Sequence, residues 1–197
     1  MRTSLRILVA TSTSLSRRRW PRATLKLCRS RDAIVGRYRL ADFRVGTAVD
    51  AHRLVAGRAL VLGGVTIEHT HGLEGHSDAD VVCHVLTDAL LGATGLGDIG
   101  RMFPSNDEWE GAASIDLLRL VSERIAADGW SLVNADCMVV AMQPRLVPHV
   151  DAMRAACAAA MGSTADRVSV RATGTDGLGF TGRGEGIAAQ AVVLVER

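Results

Sequence analysis

The sequence predicts an α+β fold in which a mixed β-sheet carries helices packed on one of its faces. Three observations predict it. Strand-like and helix-like segments alternate as β-β-(β)-α-α-β-α-β-β, an order that fits a sheet with helices laid on one side. The final segment, IAAQAVVLV at 187–195, is a near-continuous apolar run of strand length. The chain is 48% apolar but only 4% aromatic, so its core is built from Ala, Val, Leu and Ile.

The elements follow in order. FRVGTAVD at 43–50 is β-branched and reads as a strand. ALVLGGVTIE reads as a hairpin turning at Gly63-Gly64. HTHGLEGHSDAD is a polar loop. A helix is expected over 79–94, where apolar residues recur at helical spacing and Ser77, Asp78 and Asp80 offer caps. GLGDIGRMFPSNDEWEG has too much Gly, Pro and Asp for regular structure. A second helix fits 112–127 and a strand fits 131–140, closed by Pro144. An alanine-rich third helix spans 147–161, and a strand spans 168–172. GTDGLGFTGRGEG is a glycine-dense loop before the last strand.

Charge divides the chain in two. Residues 1–42 hold 11 basic and two acidic residues, a net +9. Residues 43–197 hold 12 basic and 19 acidic residues, a net −7. The globular part is acidic, which argues against a nucleic-acid partner. The Arg/Ser-rich segment 1–42 has the composition of a transit peptide, or else is a disordered leader or the result of a start assigned too far upstream. The domain is set at 43–197. No apolar run reaches the roughly 18 residues that span a bilayer, so a soluble protein without a membrane partner is expected. Cys28, Cys83, Cys137 and Cys157 make no C-x-x-C pair and read as free thiols in a reduced compartment.

Asp50 and His52 lie two apart in a strand and therefore share a face. They are placed at the end of the first strand. His84 lies on the face of the first helix that meets the sheet. Three protein ligands leave a fourth tetrahedral position open, the pattern of a catalytic zinc site, with manganese or iron as alternatives. Asp80 and Asp88 flank His84 by four residues, and either can take its free ring N–H; Asp80 reads equally as a carboxylate favoured at the helix N-terminus by the dipole. The same spacing also arises in incidental packing, and His69, His71 and His149 are read that way. His76 and Ser77 precede the first helix, a position suited to an anion, although Ser77 serves equally as a cap. Arg183, flanked by glycines, offers a fork for phosphate, and Asp176 an oxygen for magnesium. By composition alone that loop reads first as a hairpin turn.

These motifs occur together in order: D-x-H at 50–52, HSDADVVCH at 76–84, LGDIGRMFP at 96–104 and GTDGLGFTGRGEG at 174–186. Jointly they resemble the 2-C-methyl-D-erythritol 2,4-cyclodiphosphate synthase family over about 43–197. The resemblance implies a chorismate-mutase-like α+β fold and a homotrimer with active sites between subunits. It implies a zinc or other divalent ion on Asp50, His52 and His84, and Mg2+ or Mn2+ with the substrate phosphates. It places His76, Thr173 and Asp176 in catalytic roles. Substrate contacts fall on Asp50, His52, His76, Ser77, Asp98, Gly100, Phe103 and Asp107. Further contacts fall on Ala141, Pro144, Arg145, Thr173, Asp176, Phe180 and Arg183, of which 141–147 form the cytidine pocket of the adjacent subunit's site.

The implied reaction is intramolecular phosphoryl transfer that forms a cyclic diphosphate and releases CMP. The implied setting is the bacterial cytoplasm, or a plastid if 1–42 is a transit peptide. Differences from the family pattern lie at Gly174, which lacks a hydroxyl, and at Asp176, where many members carry Glu. Ser105, Asn106 and Gln190 also differ. Two other readings are a non-catalytic nucleotide- or diphosphate-binding protein of the same fold and a zinc-dependent hydrolase.

Overall fold

The computed structural model describes residues 41–197; the segment expected to be a leader lies outside the described residues apart from its last two. The first strand, β1 (Phe43–Ala56), is longer than the sequence predicts, so Asp50 and His52 sit within the strand instead of at its end. Next comes the expected hairpin of β2 (Leu60–Leu62) and β3 (Val65–Ile67). Gly63 and Gly64 both have positive φ, 57° and 74°, which the tight turn between paired strands demands of both central residues. A short strand, β4 (His71–Leu73), forms inside the expected loop and pairs with the edge of β1.

The first helix, α1 (Val81–Thr94), starts two residues later than its periodicity suggests. Ala79 has φ of 57°, so the chain turns sharply before Asp80 caps the helix. The expected irregular stretch contains one turn of helix, α2 (Ile99–Met102), capped by Asp98. The second predicted helix is α3 (Ser114–Ala127). Strand β5 (Ser131–Val140) is as expected. The third predicted helix divides into a 3-10 turn at Val147–His149 and α4 (Val150–Ala160). Strand β6 (Val168–Thr173) is followed by the single turn α5 (Gly179–Gly182) inside the glycine loop, then by β7 (Gly186–Glu196).

The main sheet has the order β4-β1-β7-β5-β6. Only β5 and β6 run parallel, so the sheet is mixed, as predicted. The helices cover one face: α1 crosses β1 and β7, α4 lies on β6, and α3 packs on α1 and α4. The apolar run of β7 is explained by its central place. Ile187, Ala189, Ala191, Val193 and Val195 are buried toward the helices. The core is aliphatic, and Trp130 is its only buried aromatic among the described residues. Cys83, Cys137 and Cys157 are free and buried. Burial pushes the Cys83 and Cys137 thiols up, which makes them packing groups. No helix among the described residues is long and apolar enough to cross a membrane.

Among the described residues, no element covers the sheet's other face. Val45, Val49 and Val192 on it are 66%, 76% and 42% exposed. At one end of the sheet the backbones of Asp42 and Arg197 exchange two hydrogen bonds of 2.9 and 3.1 Å. The guanidinium groups of Arg44 and Arg197 lie over the Trp130 ring at 4.6 and 4.4 Å.

Gly46 marks the closest approach of β1 to α1. A Cβ there would overlap the Ala89 carbonyl oxygen, a backbone atom that cannot rotate away. Gly46→Ala is expected to destabilise the fold by about 2–3 kcal/mol through forced displacement of the helix, read as a lower urea midpoint. An unchanged midpoint would mean that the helix can move outward freely.

Candidate metal and phosphate site

Asp50 and His52 occupy the inward-facing register of β1, and His84 occupies the facing side of α1. Their donor atoms form a triangle. His52 Nε2 lies 2.9 Å from Asp50 Oδ2 and 3.0 Å from His84 Nδ1, and His84 Nδ1 lies 3.1 Å from Asp50 Oδ2. A tetrahedral ion with bonds of about 2.0–2.1 Å would separate its ligand atoms by roughly 3.3 Å. The triangle therefore fits such an ion with a spread of a few tenths of an ångström. His52 is preset for it, because its Nδ1–H donates to the Glu74 carbonyl at 2.8 Å. That leaves the Nε2 lone pair facing the triangle. Burial raises the Asp50 carboxyl, but the His52 and His84 rings, when protonated on the nitrogens that face it, outweigh burial and hold the group well below the ordinary carboxylate range. The hydrogen bond to Asp50 in turn raises His52, against burial. The ionised carboxylate is what a cation site requires, and a bound ion would displace the ring protons that Asp50 otherwise favours.

Neither Asp80 nor Asp88 takes the free ring nitrogen of His84; of the two readings of Asp80, the helix-start carboxylate is the one observed. Asp80 faces the helix start, accepting from the backbone N–H groups of Val82 and Cys83 and from those of Gly63 and Gly64. Asp88 accepts the Ile99 N–H at 2.6 Å and so seats α2. The partners of His84 Nε2 are Ser114 Oγ at 3.0 Å and Ser77 Oγ at 3.2 Å. Ser114 is absent from the sequence-based site. It lies 30 residues from His84, and no local pattern signals their meeting.

A cleft of about 190 Å³ opens over the triangle. His52, His76, Ser77 and His84 line it together with Phe103 and Trp109; Gly100 also borders it. Phe103 and Trp109 pack edge to face, with centroids 4.9 Å apart; Trp109 too was not singled out from sequence. His76 Nε2 donates to the Asn106 carbonyl at 2.8 Å. Arg58 holds the His76–Ser77 loop through the carbonyls of Gly75 and Ser77. The Asp98 carboxylate is engaged with Arg101 N–H as the α2 cap, and Asp107 is exposed on the next turn.

The remaining predicted residues form a second group. Ala141 N–H donates to the Thr173 carbonyl at 3.0 Å, so the 141–145 segment, with Pro144 and Arg145, leaves the sheet beside Thr173. Asp176 is exposed, with φ of 49°. Thr173 aligns with Val140, Val140 with Ala188, and Ala188 with Ala51. Three strand spacings thus separate Thr173 from the metal strand, roughly 14 Å. Phe180 bridges part of this gap, lying with Gly186 beside His52. Arg183 does not stand free, as its sequence context suggested. Its Nε and Nη2 donate to Glu185 at 2.7 and 3.1 Å.

The chain matches the YgbB family over residues 43–196. It belongs to that family. Among YgbB relatives, the 2-C-methyl-D-erythritol 2,4-cyclodiphosphate synthase of Moorella thermoacetica is 58% identical over 153 residues, covering 77% of this chain and 94% of the relative. The protein of the same name from Marinobacter nauticus is 54% identical over 154 residues, covering 78% and 97%. A solved structure of 2C-methyl-D-erythritol-2,4-cyclodiphosphate synthase in a CDP-bound form aligns with TM-score 0.71 at 37% identity, covering 77% of this chain and 99% of that one. The YgbB match begins where β1 begins and spans both groups of residues described above.

Proposed function

We propose that this YgbB chain is a 2-C-methyl-D-erythritol 2,4-cyclodiphosphate synthase, a phosphorus-oxygen lyase of non-mevalonate isoprenoid biosynthesis. The observation that carries the reading is the Asp50–His52–His84 triangle opening into a cleft lined by His76 and Ser77. The substrate is 4-diphosphocytidyl-2-C-methyl-D-erythritol 2-phosphate. An oxygen of its 2-phosphate bonds to the β-phosphorus, the bond from that phosphorus to the bridging oxygen breaks, and CMP leaves with the bridging electrons.

Both reacting ends belong to one molecule, so the protein's task is alignment, which can supply about 7–11 kcal/mol. His76 and Ser77 hold the transferred phosphate. Gly100 and Phe103 form the wall for the methylerythritol part, with Asp98 and Asp107 at its rim. Ala141, Pro144 and Arg145 receive the cytidine. Thr173 and Asp176 attend the diphosphate, with Phe180 and Arg183 flanking. A divalent ion on Asp50, His52 and His84, zinc by its donor set, supplies Lewis-acid polarisation of the phosphate. Asp176, a single exposed carboxylate, suits Mg2+ or Mn2+, which keep most of their waters when bound with substrate phosphates.

The test is incubation of purified protein with substrate, zinc and magnesium, followed by phosphorus NMR. A cyclic diphosphate with equimolar CMP is expected. A linear phosphate product would indicate a hydrolase, and CDP binding without turnover a binding protein; either overturns the reading.

Thr173 and the 141–145 segment beside it lie about 14 Å from the metal strand by strand spacing, which supports a site shared between copies. We place a homotrimer on the open sheet face, where Val45, Val49 and Val192 are exposed. Val49→Asp is expected to give monomers in sedimentation velocity, with CMP release lost and zinc still bound. Persistence of the trimer would exclude this face. The bacterial relatives and the acidic domain support a cytoplasmic enzyme of small-molecule metabolism.

A further inference from the structure

The hydrogen bonding behind His84 carries an inference about how this ligand is oriented, one that rests on the metal reading above. Ser114, the first residue of α3, is fully buried. Its hydroxyl has one proton to give. The Asp78 carboxylate, which has only acceptor oxygens, accepts the Ser114 O–H at Oδ1. Asp78 also accepts the Ser114 backbone N–H at 3.2 Å on both oxygens. It thereby serves as the N-terminal cap that Ala113, with no capping side chain, cannot supply.

With its proton committed to Asp78, Ser114 Oγ has only lone pairs left for its other neighbours, His84 Nε2 at 3.0 Å and Ser77 Oγ at 3.2 Å. At its 3.0 Å contact with Ser114 the ring is then the donor, so the His84 proton sits on Nε2, and Ser77 Oγ, 3.2 Å from both, gives its own proton to Ser114. The other ring nitrogen, Nδ1, is left with a bare lone pair, and it is the atom 3.1 Å from Asp50 and 3.0 Å from His52.

We propose that Asp78 and Ser114 form a positioning relay that fixes the His84 ring and its Nε2–H tautomer, presenting Nδ1 to the metal. The relay ties the start of α3 to a ligand on α1. It mirrors the Glu74 carbonyl, which does the same for His52 from the opposite nitrogen. Hydrogen-bond partners of this kind orient ligand histidines and raise their basicity.

The test uses Ser114→Ala, with Ser114→Thr as the variant that keeps the hydroxyl. Nitrogen-15 NMR of the histidine rings in metal-free protein above pH 8 reads the tautomer directly, independently of activity. His84 is expected to be Nε2–H in the parent and in Ser114→Thr, and a mixture of tautomers in Ser114→Ala. Zinc affinity, measured by chelator competition, is expected to fall about 10–100-fold in Ser114→Ala and to recover in Ser114→Thr. Parent tautomer and parent affinity in Ser114→Ala, alongside zinc loss in His84→Ala, would overturn the relay and leave the metal site standing. Zinc binding unchanged in His84→Ala would overturn both. A Ser114→Ala protein with a lowered urea midpoint but parent tautomer would assign Ser114 to packing alone and also overturn the relay.

Discussion

His84→Ala is expected to lose zinc and to release CMP at about one-thousandth of the parent rate or less. Two donors would remain, Asp50 Oδ2 and His52 Nε2, on one strand and 2.9 Å apart. Two ligands from one strand cannot enclose a tetrahedral ion, so the affinity loss should exceed the about 10–100-fold that follows removal of an outer hydrogen-bond partner. Loss of one preorganised group that stabilises developing charge costs about 10²–10³ in rate, and here the ion itself goes. The fold should survive, because the His84 side chain borders the cleft and contributes polar contacts more than core packing. A shift of about 1 kcal/mol is expected. Elemental analysis and a CMP assay on the same preparation check this. Full zinc content in a folded variant would remove His84 from the ligand set.

Asp80→Ala is expected to be the most damaging single change to stability outside the apolar core, at about 1.5–5 kcal/mol. Asp80 is fully buried. Its Oδ1 accepts from Gly63, Val82 and Cys83 N–H groups, and its Oδ2 from Gly64 N–H and the Cys83 thiol. Burial raises its carboxyl, and the backbone donors act against that. Removing the cap alone costs about 0.5–2 kcal/mol. The Gly63 N–H would also be stranded in a dry site, at a further cost of about 1–3 kcal/mol. Gly64 is exposed, and water can replace its partner. Asp80→Asn retains the Oδ1 contacts and should lose about half as much. Urea denaturation distinguishes these outcomes, and a loss below about 1 kcal/mol for Asp80→Ala would show that the hairpin and helix hold each other without it.

The contrast between Asp80 and His84 explains what could be read from the sequence. Period-two spacing put Asp50 and His52 on one face, and helical spacing put His84 opposite; both hold because each rests on local geometry. Helical spacing also brings Asp80 near His84, but two orphan amides of the α1 start, Val82 and Cys83, and two of the hairpin turn, Gly63 and Gly64, compete for that carboxylate and reach it. Strand β4 was hidden because His71, Gly72 and Leu73 have no strand pattern of their own and pair only once β1 offers its edge. Ser114 and Trp109 were illegible for the same reason. Their roles depend on α3 and the turn before it folding back across the α1 start. The separation of Thr173 from the metal strand follows from strand order, since β7, last in sequence, inserts between β1 and β5.

The paired backbones of Asp42 and Arg197 have a consequence for how this domain tolerates rearrangement. Eight residues of extended strand separate Asp42 from Asp50, about 26 Å at roughly 3.3 Å per residue. Both ends of the described chain therefore emerge side by side at a pole remote from the cleft, clamped around Trp130. A short linker could join them and new ends be opened at the exposed 105–108 turn, giving a circular permutant with the sheet intact. By the same geometry, a second catalytic domain grafted at that pole would leave the mouth of the cleft uncovered.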